Sequence, residues 1–163
     1  RGVKDYRQSF ISGDQVYFYP LNLESAKRMD TLWATLTGNS FDDFILSFKG
    51  REIRFPFYKH GVGRFDFFEI CGQMLGPGDY LAIVDAVRVL MVDNIPQLSR
   101  SNFNEAKRFV TLIDAAYEAK ISLICSAATE PEMLYSEGEG SFEFERTASR
   151  LKEMQSKNWL NVI

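Results

Sequence analysis

Two short apolar runs constrain this chain more than anything else in it. Val87-Arg88-Val89-Leu90-Met91-Val92 is nearly continuous in apolar side chains and stops at Asp93, and Ile121-Ser122-Leu123-Ile124-Cys125 is a second such run. Runs this short, without regular polar alternation, fit strands buried on both faces. Between them Phe103, Ala106, Phe109, Val110, Ile113, Ala116 and Tyr117 recur at helical spacing. They predict an amphipathic helix ending near Ala119. Asn102 with Glu105 three residues on resembles a capping box at its start. Strand, helix and strand in this order make a βαβ crossover, so the two strands should be parallel neighbours or near-neighbours, joined right-handedly. The fold class read from this is α/β: a parallel βαβ sheet with flanking helices, plus a β-hairpin.

The flanks fill in around that unit. Val16 to Tyr19 is a short β-rich run ended by Pro20. Asn22 can cap a helix from Leu23 to about Leu36, with Met29, Leu32, Trp33 and Leu36 on one face and Gly38 as the stop. Phe44 to Phe48 and Glu52 to Phe57 flank Lys49-Gly50-Arg51 and predict a hairpin at an edge or in a small sheet of its own. His60-Gly61-Val62-Gly63 reads as a connector, and Phe65 to Ile70 as a strand end passing into a short helix. Asp79 is placed to cap a helix through Ala86. Thr129-Glu130-Pro131 opens a short helix to Tyr135, and Ser136 to Gly140 is an acidic loop. Ser141 can cap a last helix to about Ser156, with Phe144, Ala148 and Leu151 on its apolar side. The organisation expected is one region over 1–163, with a strand–helix–hairpin part at 1–60 and the βαβ and C-terminal helix at 61–163.

Composition supports one packed domain. The chain has 163 residues, 45% of them hydrophobic, which excludes a disordered chain and is short for two domains. A net charge of −3 exerts no global pull on nucleic acid or an anionic membrane surface. No apolar run approaches the roughly 20 residues of a membrane span. Two cysteines and one histidine are too few for the usual zinc cluster, and Cys71 and Cys125 read as buried thiols of a reducing compartment. The chain begins Arg1-Gly2-Val3 without an initiator Met, and is expected to be part of a longer one.

The residues alone do not name a reaction. A phosphate loop needs G-x-x-x-x-G-K-[ST], and the chain has no Gly-Lys pair. Gly61-Val62-Gly63 starts a G-x-G-x-x-G pattern, but Asp66 stands at its third glycine. A nucleophile elbow is absent too, and His60 is the sole histidine. Asp93 and Ser126 close neighbouring buried strands, at the edge where ligands bind in open α/β sheets. Asp93-Asn94 echoes the strand-then-acid pattern of magnesium-binding NTPase sites, with Asn94 where a catalytic Glu usually follows; the plainer reading is a turn before Pro96. Arg146 and Arg150, one turn apart, either form a solvated ladder with Glu143 and Glu153 or present two guanidiniums to a phosphate. Arg108 has Glu105 at i−3 as an ion-pair partner.

Several longer segments resemble one family. These are GVKDYR at 2–7, RFDFFEICGQMLGPGDYLAI at 64–83, VDNIPQLS at 92–99, NEAKRFVTLIDAAYEAKISLICSAATEPEMLY at 104–135 and FERTASRLKEMQS at 144–156. Together they look like the C-terminal part of the ZapE/AFG-type AAA+ ATPases of bacteria and mitochondria. The resemblance implies a P-loop ATPase parent whose Walker A, Walker B and sensor 1 elements precede GVKDYR. That parent would use ATP and Mg²⁺ in cell division or mitochondrial protein quality control. By the same likeness the chain is a C-terminal region that needs no cofactor of its own and does not hydrolyse ATP alone. Its implied partners are the parent's N-terminal ATPase core, cell-division proteins and further copies of itself. The implied compartment is the bacterial cytoplasm, or mitochondria in a eukaryote. Arg146 and Arg150 become candidates for an arginine that senses nucleotide. Two other readings stand beside this one: an interaction module with no nucleotide contact, and a small-molecule enzyme using the Asp93/Ser126 edge.

Overall fold

A computed structural model describes residues 15–136, 141–156 and 159. The GVKDYR segment and most of the acidic loop fall outside them. Among the described residues seven strands and five α-helices follow in order: β1 (Tyr17–Phe18), α1 (Leu23–Thr37), β2 (Phe44–Phe48), β3 (Arg51–Phe55), β4 (Phe57–Lys59), β5 (Val62–Asp66), α2 (Phe67–Ile70), α3 (Pro77–Asp85), β6 (Val89–Ile95), α4 (Phe103–Ala119), β7 (Ser122–Ala127) and α5 (Ser141–Met154). Short 3₁₀ turns at Arg100–Asn102 and Pro131–Met133 precede α4 and follow β7.

The main sheet has the order β1-β7-β6-β5-β4, and β2-β3 form a second, two-stranded sheet. The crossover reading is borne out: β6 and β7 are adjacent and parallel, with Val89 opposite Ser122 and Val92 opposite Cys125. Val89 through Val92 are fully buried, as are Ile124 and Cys125 to within a percent. The parallel order extends to β5 on one side and β1 on the other. Among the described strands of the main sheet, only β4 runs antiparallel, against β5. The β6–β7 ladder is irregular between Val92 and Ile95, where Asn94 adopts φ 62°, a left-handed conformation that Asn tolerates better than most side chains.

Four local expectations are corrected. His60-Gly61 is the tight turn between β4 and β5, both residues at positive φ, and Val62 and Gly63 are already strand. Phe57 leaves the small hairpin sheet and pairs with Arg64 in the main one. Asn102 does not cap α4 with its side chain; its Oδ1 accepts from the Ser99 amide and closes the 3₁₀ turn before the helix. Asp79 sits inside α3, with Gly76 at the N-cap; its Oδ2 accepts from the Gly76 amide. In both misread caps the polar side chain reaches back to an earlier amide, which spacing alone does not distinguish from forward capping.

The core is one continuous cluster running from Val16 through the central strands to Trp159. Phe109 stacks on Phe144 at 6.1 Å between centroids, joining α4 to α5. The Trp159 indole N–H donates to the Ile121 carbonyl at 2.9 Å, tying the end of the described chain to the residue before β7. Among the described residues no helix is long and apolar enough to cross a membrane.

Candidate functional site

The C-terminal ends of β5, β6 and β7 meet at one edge of the main sheet. A pocket of about 440 Å³ opens there, with Asp30, Arg64, Asp66, Asp93, Asn94 and Ser126 among its lining. Asp93 and Ser126 therefore do share one site, as their places at strand ends require. The bend at Asn94 brings its amide N–H to Ser126 Oγ at 2.8 Å. The Asn94 side-chain amide donates to Asp66 Oδ1, also at 2.8 Å.

Asp93 closes no simple turn; it is held by Arg64. Arg64 Nε donates to Asp93 Oδ2 at 2.7 Å and Nη2 donates to Asp93 Oδ1 at 3.0 Å, the two-pronged geometry that a planar guanidinium and a carboxylate favour. The same Nη2 donates to Asp30 Oδ1 of α1 at 2.9 Å. The Arg64 side chain is only 14% exposed and that of Asp93 17%, whereas Asp30 stands largely in solvent. Burial works against the charge on Arg64, but the hydrogen bonds and attraction of Asp93, then Asp30, outweigh it and raise its pKa further. Neither Arg64 nor Asp30 stood out in the sequence. Arg64 lies 29 residues from Asp93 and 34 from Asp30, so no local spacing links them. The available signal was a cation at an otherwise apolar strand, in Gly63-Arg64-Phe65.

Arg146 and Arg150 sit elsewhere. Their acceptor is Asp114 of α4, not Glu143 or Glu153: Arg146 Nη2 reaches Asp114 Oδ2 at 3.0 Å and Arg150 Nη1 pairs with Asp114 Oδ1. Arg150 also lies over the Tyr117 ring, 4.5 Å from its centroid, and Tyr117 donates its hydroxyl to Glu153 Oε1 at 2.8 Å. The ladder on one helix is replaced by a bridge between two, because α5 packs along α4 and places Asp114 between the two guanidiniums. α4 runs from the C-terminal end of β6 back to the start of β7, and Asp114 is about three turns along it. That puts Asp114 roughly 16 Å along the helix from the start of α4, the end nearer in the chain to Asp93. The two candidate groups are not brought together.

The remaining candidates are structural in their contacts. Arg108 Nη1 donates to the Cys71 carbonyl at 3.1 Å, tying α4 to the turn after α2. Cys71 and Cys125 are free and buried, and burial pushes both thiols well up in pKa, which makes them poor nucleophiles at neutral pH. His60 lies in the β4–β5 turn, where its carbonyl accepts from Arg88 Nε. Among the described residues no group of His, Cys, Asp and Glu side chains is arranged to hold a metal ion.

The family model of the AFG1-like ATPases matches residues 1–162. The chain belongs to the AFG1-like ATPase family. Cell division protein ZapE of Escherichia coli K12 is 29% identical to it over 157 residues, covering 96% of this chain and 42% of ZapE. An uncharacterised protein of Schizosaccharomyces pombe is 27% identical over 96% of the chain and 41% of its own length. Lactation elevated protein 1 homolog B of Danio rerio is 28% identical over 71% of the chain and 29% of its own length. This member of the AFG1-like family thus spans about two fifths of the length of ZapE. No solved structure matches it.

Proposed function

We propose that this chain is the C-terminal region of a ZapE/AFG1-type ATPase. The parent binds and hydrolyses ATP with Mg²⁺; the chain by itself does neither. The observation that carries this reading is the passage from β1 into α1. A phosphate loop lies between a strand and a helix, where glycines free a row of amides and a Lys reaches the β- and γ-phosphates. Here Phe18 is joined to Leu23 by Tyr19-Pro20-Leu21-Asn22, with neither glycine nor lysine. Hydrolysis in the parent then depends on Walker elements outside this chain, in the ATPase core against which the region docks. The names of its bacterial relatives favour a role in cell division; the place proposed for it is the bacterial cytoplasm, or mitochondria in a eukaryote.

The purified chain, given ATP and Mg²⁺, is expected to release no phosphate above background in a coupled assay. Turnover at roughly 1 s⁻¹ or faster, an ordinary enzymatic rate, would overturn the assignment.

Arg146 and Arg150 keep the role of nucleotide-sensing candidates, toward a nucleotide held by the parent's core or by a neighbouring copy. Two guanidiniums share one Asp114 carboxylate, which leaves donors over for a phosphate. The competing reading is an interaction module with no nucleotide contact. It is favoured by the same bridge, since Asp114 and Tyr117 already engage these arginines.

A further inference from the structure

We propose that the Asp93 edge is a nucleotide-type site sealed from within, with the Arg64 guanidinium seated where a nucleotide's metal cation would stand. The inference concerns this chain's own sheet and does not rest on the activity of the parent.

Three features of a nucleotide edge recur here along neighbouring strands: β1, a parallel strand running into a helix; β7 beside it, ending in the hydroxyl of Ser126; and β6 beyond, ending in the acid Asp93. Each is engaged internally. At the N-terminus of α1, Asn22 Oδ1 accepts from the Ser25 amide at 2.9 Å, and the Ser25 hydroxyl donates to the Pro20 carbonyl at 2.7 Å. The end of the helix that would receive a phosphate is therefore capped by its own side chain. At β6 both oxygens of Asp93 are taken by Arg64. At β7 Ser126 Oγ accepts from the Asn94 amide. Asn94, where a water-activating carboxylate would follow the acid, instead donates its side-chain amide to Asp66.

Arg64 accounts for the closure better than a surface ion pair would. A guanidinium is charged at any relevant pH, and its fixed fork spans Asp93 while a shared nitrogen reaches Asp30. A divalent cation would ask for the same oxygens: hard cations take carboxylate ligands from several chain segments. Arg64 arrives from the adjacent strand, is mostly buried, and cannot dissociate. The pocket otherwise presents the carboxylates of Asp30, Asp66, Glu69 and Asp93. With Arg64 in place they are partly neutralised and the metal's position is filled.

The decisive experiment removes the resident cation. In Arg64→Gln, confirmed folded by circular dichroism, Mn²⁺ followed by electron paramagnetic resonance is expected to bind at least ~10-fold more tightly than to the wild-type chain. The double variant Arg64→Gln/Asp93→Asn should lose that gain. A folded Arg64→Gln with no gain in Mn²⁺ affinity overturns the proposal. Should that variant not fold, the wild-type chain decides. Fluorescent mant-ATP with Mg²⁺ should show no saturable binding up to ~1 mM. Saturable binding that disappears in Asp93→Asn would likewise overturn it.

Discussion

At the scale of single residues, Asp114 carries the most tension between fold and function. It accepts from Arg146 and Arg150 together, so a change at either arginine frees part of a shared carboxylate without breaking the α4–α5 contact, which Phe109 and Phe144 also hold. Arg146→Ala, more exposed, should cost under ~1 kcal/mol of stability. Arg150→Ala also loses its packing over Tyr117 and should cost more, about 1–2 kcal/mol. In the full-length parent the two readings separate. An arginine that faces nucleotide should lower steady-state hydrolysis by ~10- to 1,000-fold when replaced by Ala. Unchanged turnover in both single variants and in the double would remove the sensing role and leave the interaction module. Arg64 shows why such pairings escape a reading of sequence. Its partners come from an adjoining strand and from a helix earlier in the chain, and only the closed sheet makes them neighbours.

At the scale of elements, local chemistry decided what could be foreseen. α1 was legible at both ends: Asn22 caps it through the Ser25 amide, and Gly38 follows at φ 75°. The buried βαβ unit was legible because continuous apolar runs and a helical stripe leave few alternatives. The β4–β5 hairpin was not. Its strands are short, its turn carries His60 and Gly61 at φ 54° and 77°, and Gly61-Val62-Gly63 looks like slack chain. Yet Gly63 is under tight constraint, since a Cβ there would lie 2.9 Å from the Phe55 ring and 3.1 Å from Val87. What reads as flexibility in sequence is here close approach in the fold. The end of α4 yields a prediction of the same kind. Lys120 follows the helix at φ 58°, in the left-handed region that glycine occupies most easily. Lys120→Gly relieves that strain, but it also frees the unfolded chain and removes the lysine ammonium from above Trp159, 5.5 Å away. The net expected in urea denaturation is a stabilisation of no more than ~1 kcal/mol. A clear loss would mean that the Trp159 contact outweighs the backbone term.

For the molecule as a whole, the buried acids of the core set an alkaline limit. Burial is the main cause that raises the thiols of Cys71 and Cys125 and the phenols of Tyr17 and Tyr80 above their ordinary values of 9.0 and 10.0. A group whose pKa rises on folding stabilises the fold fully below its unfolded value, and that contribution is lost as pH climbs toward the folded one. Stability should therefore hold from pH 7 to about 8.5 and fall by about 3–4 kcal/mol by pH 10, read from urea midpoints, as the unfolded thiols ionise and the unfolded phenols begin to. Cys125→Ala, compared with itself across the same range, should show a shallower decline. The two-residue strand β1 has a consequence of another sort, in the order of assembly. Among the described residues it joins the sheet by pairing with β7 alone, and the Tyr17 hydroxyl donates to the Thr129 carbonyl across 112 residues of chain. The hairpins and the β6–α4–β7 unit close far shorter loops, and long loops are the slowest to close. β1 and the helix behind it should be the last seam to form and the first to part, with amides of α1 exchanging before those of β6. When that seam opens, Asp30 leaves with α1 while Arg64 and Asp93 stay clasped on the remaining strands, so the ion triad is assembled in two stages, and its third member reports whether the chain has finished folding.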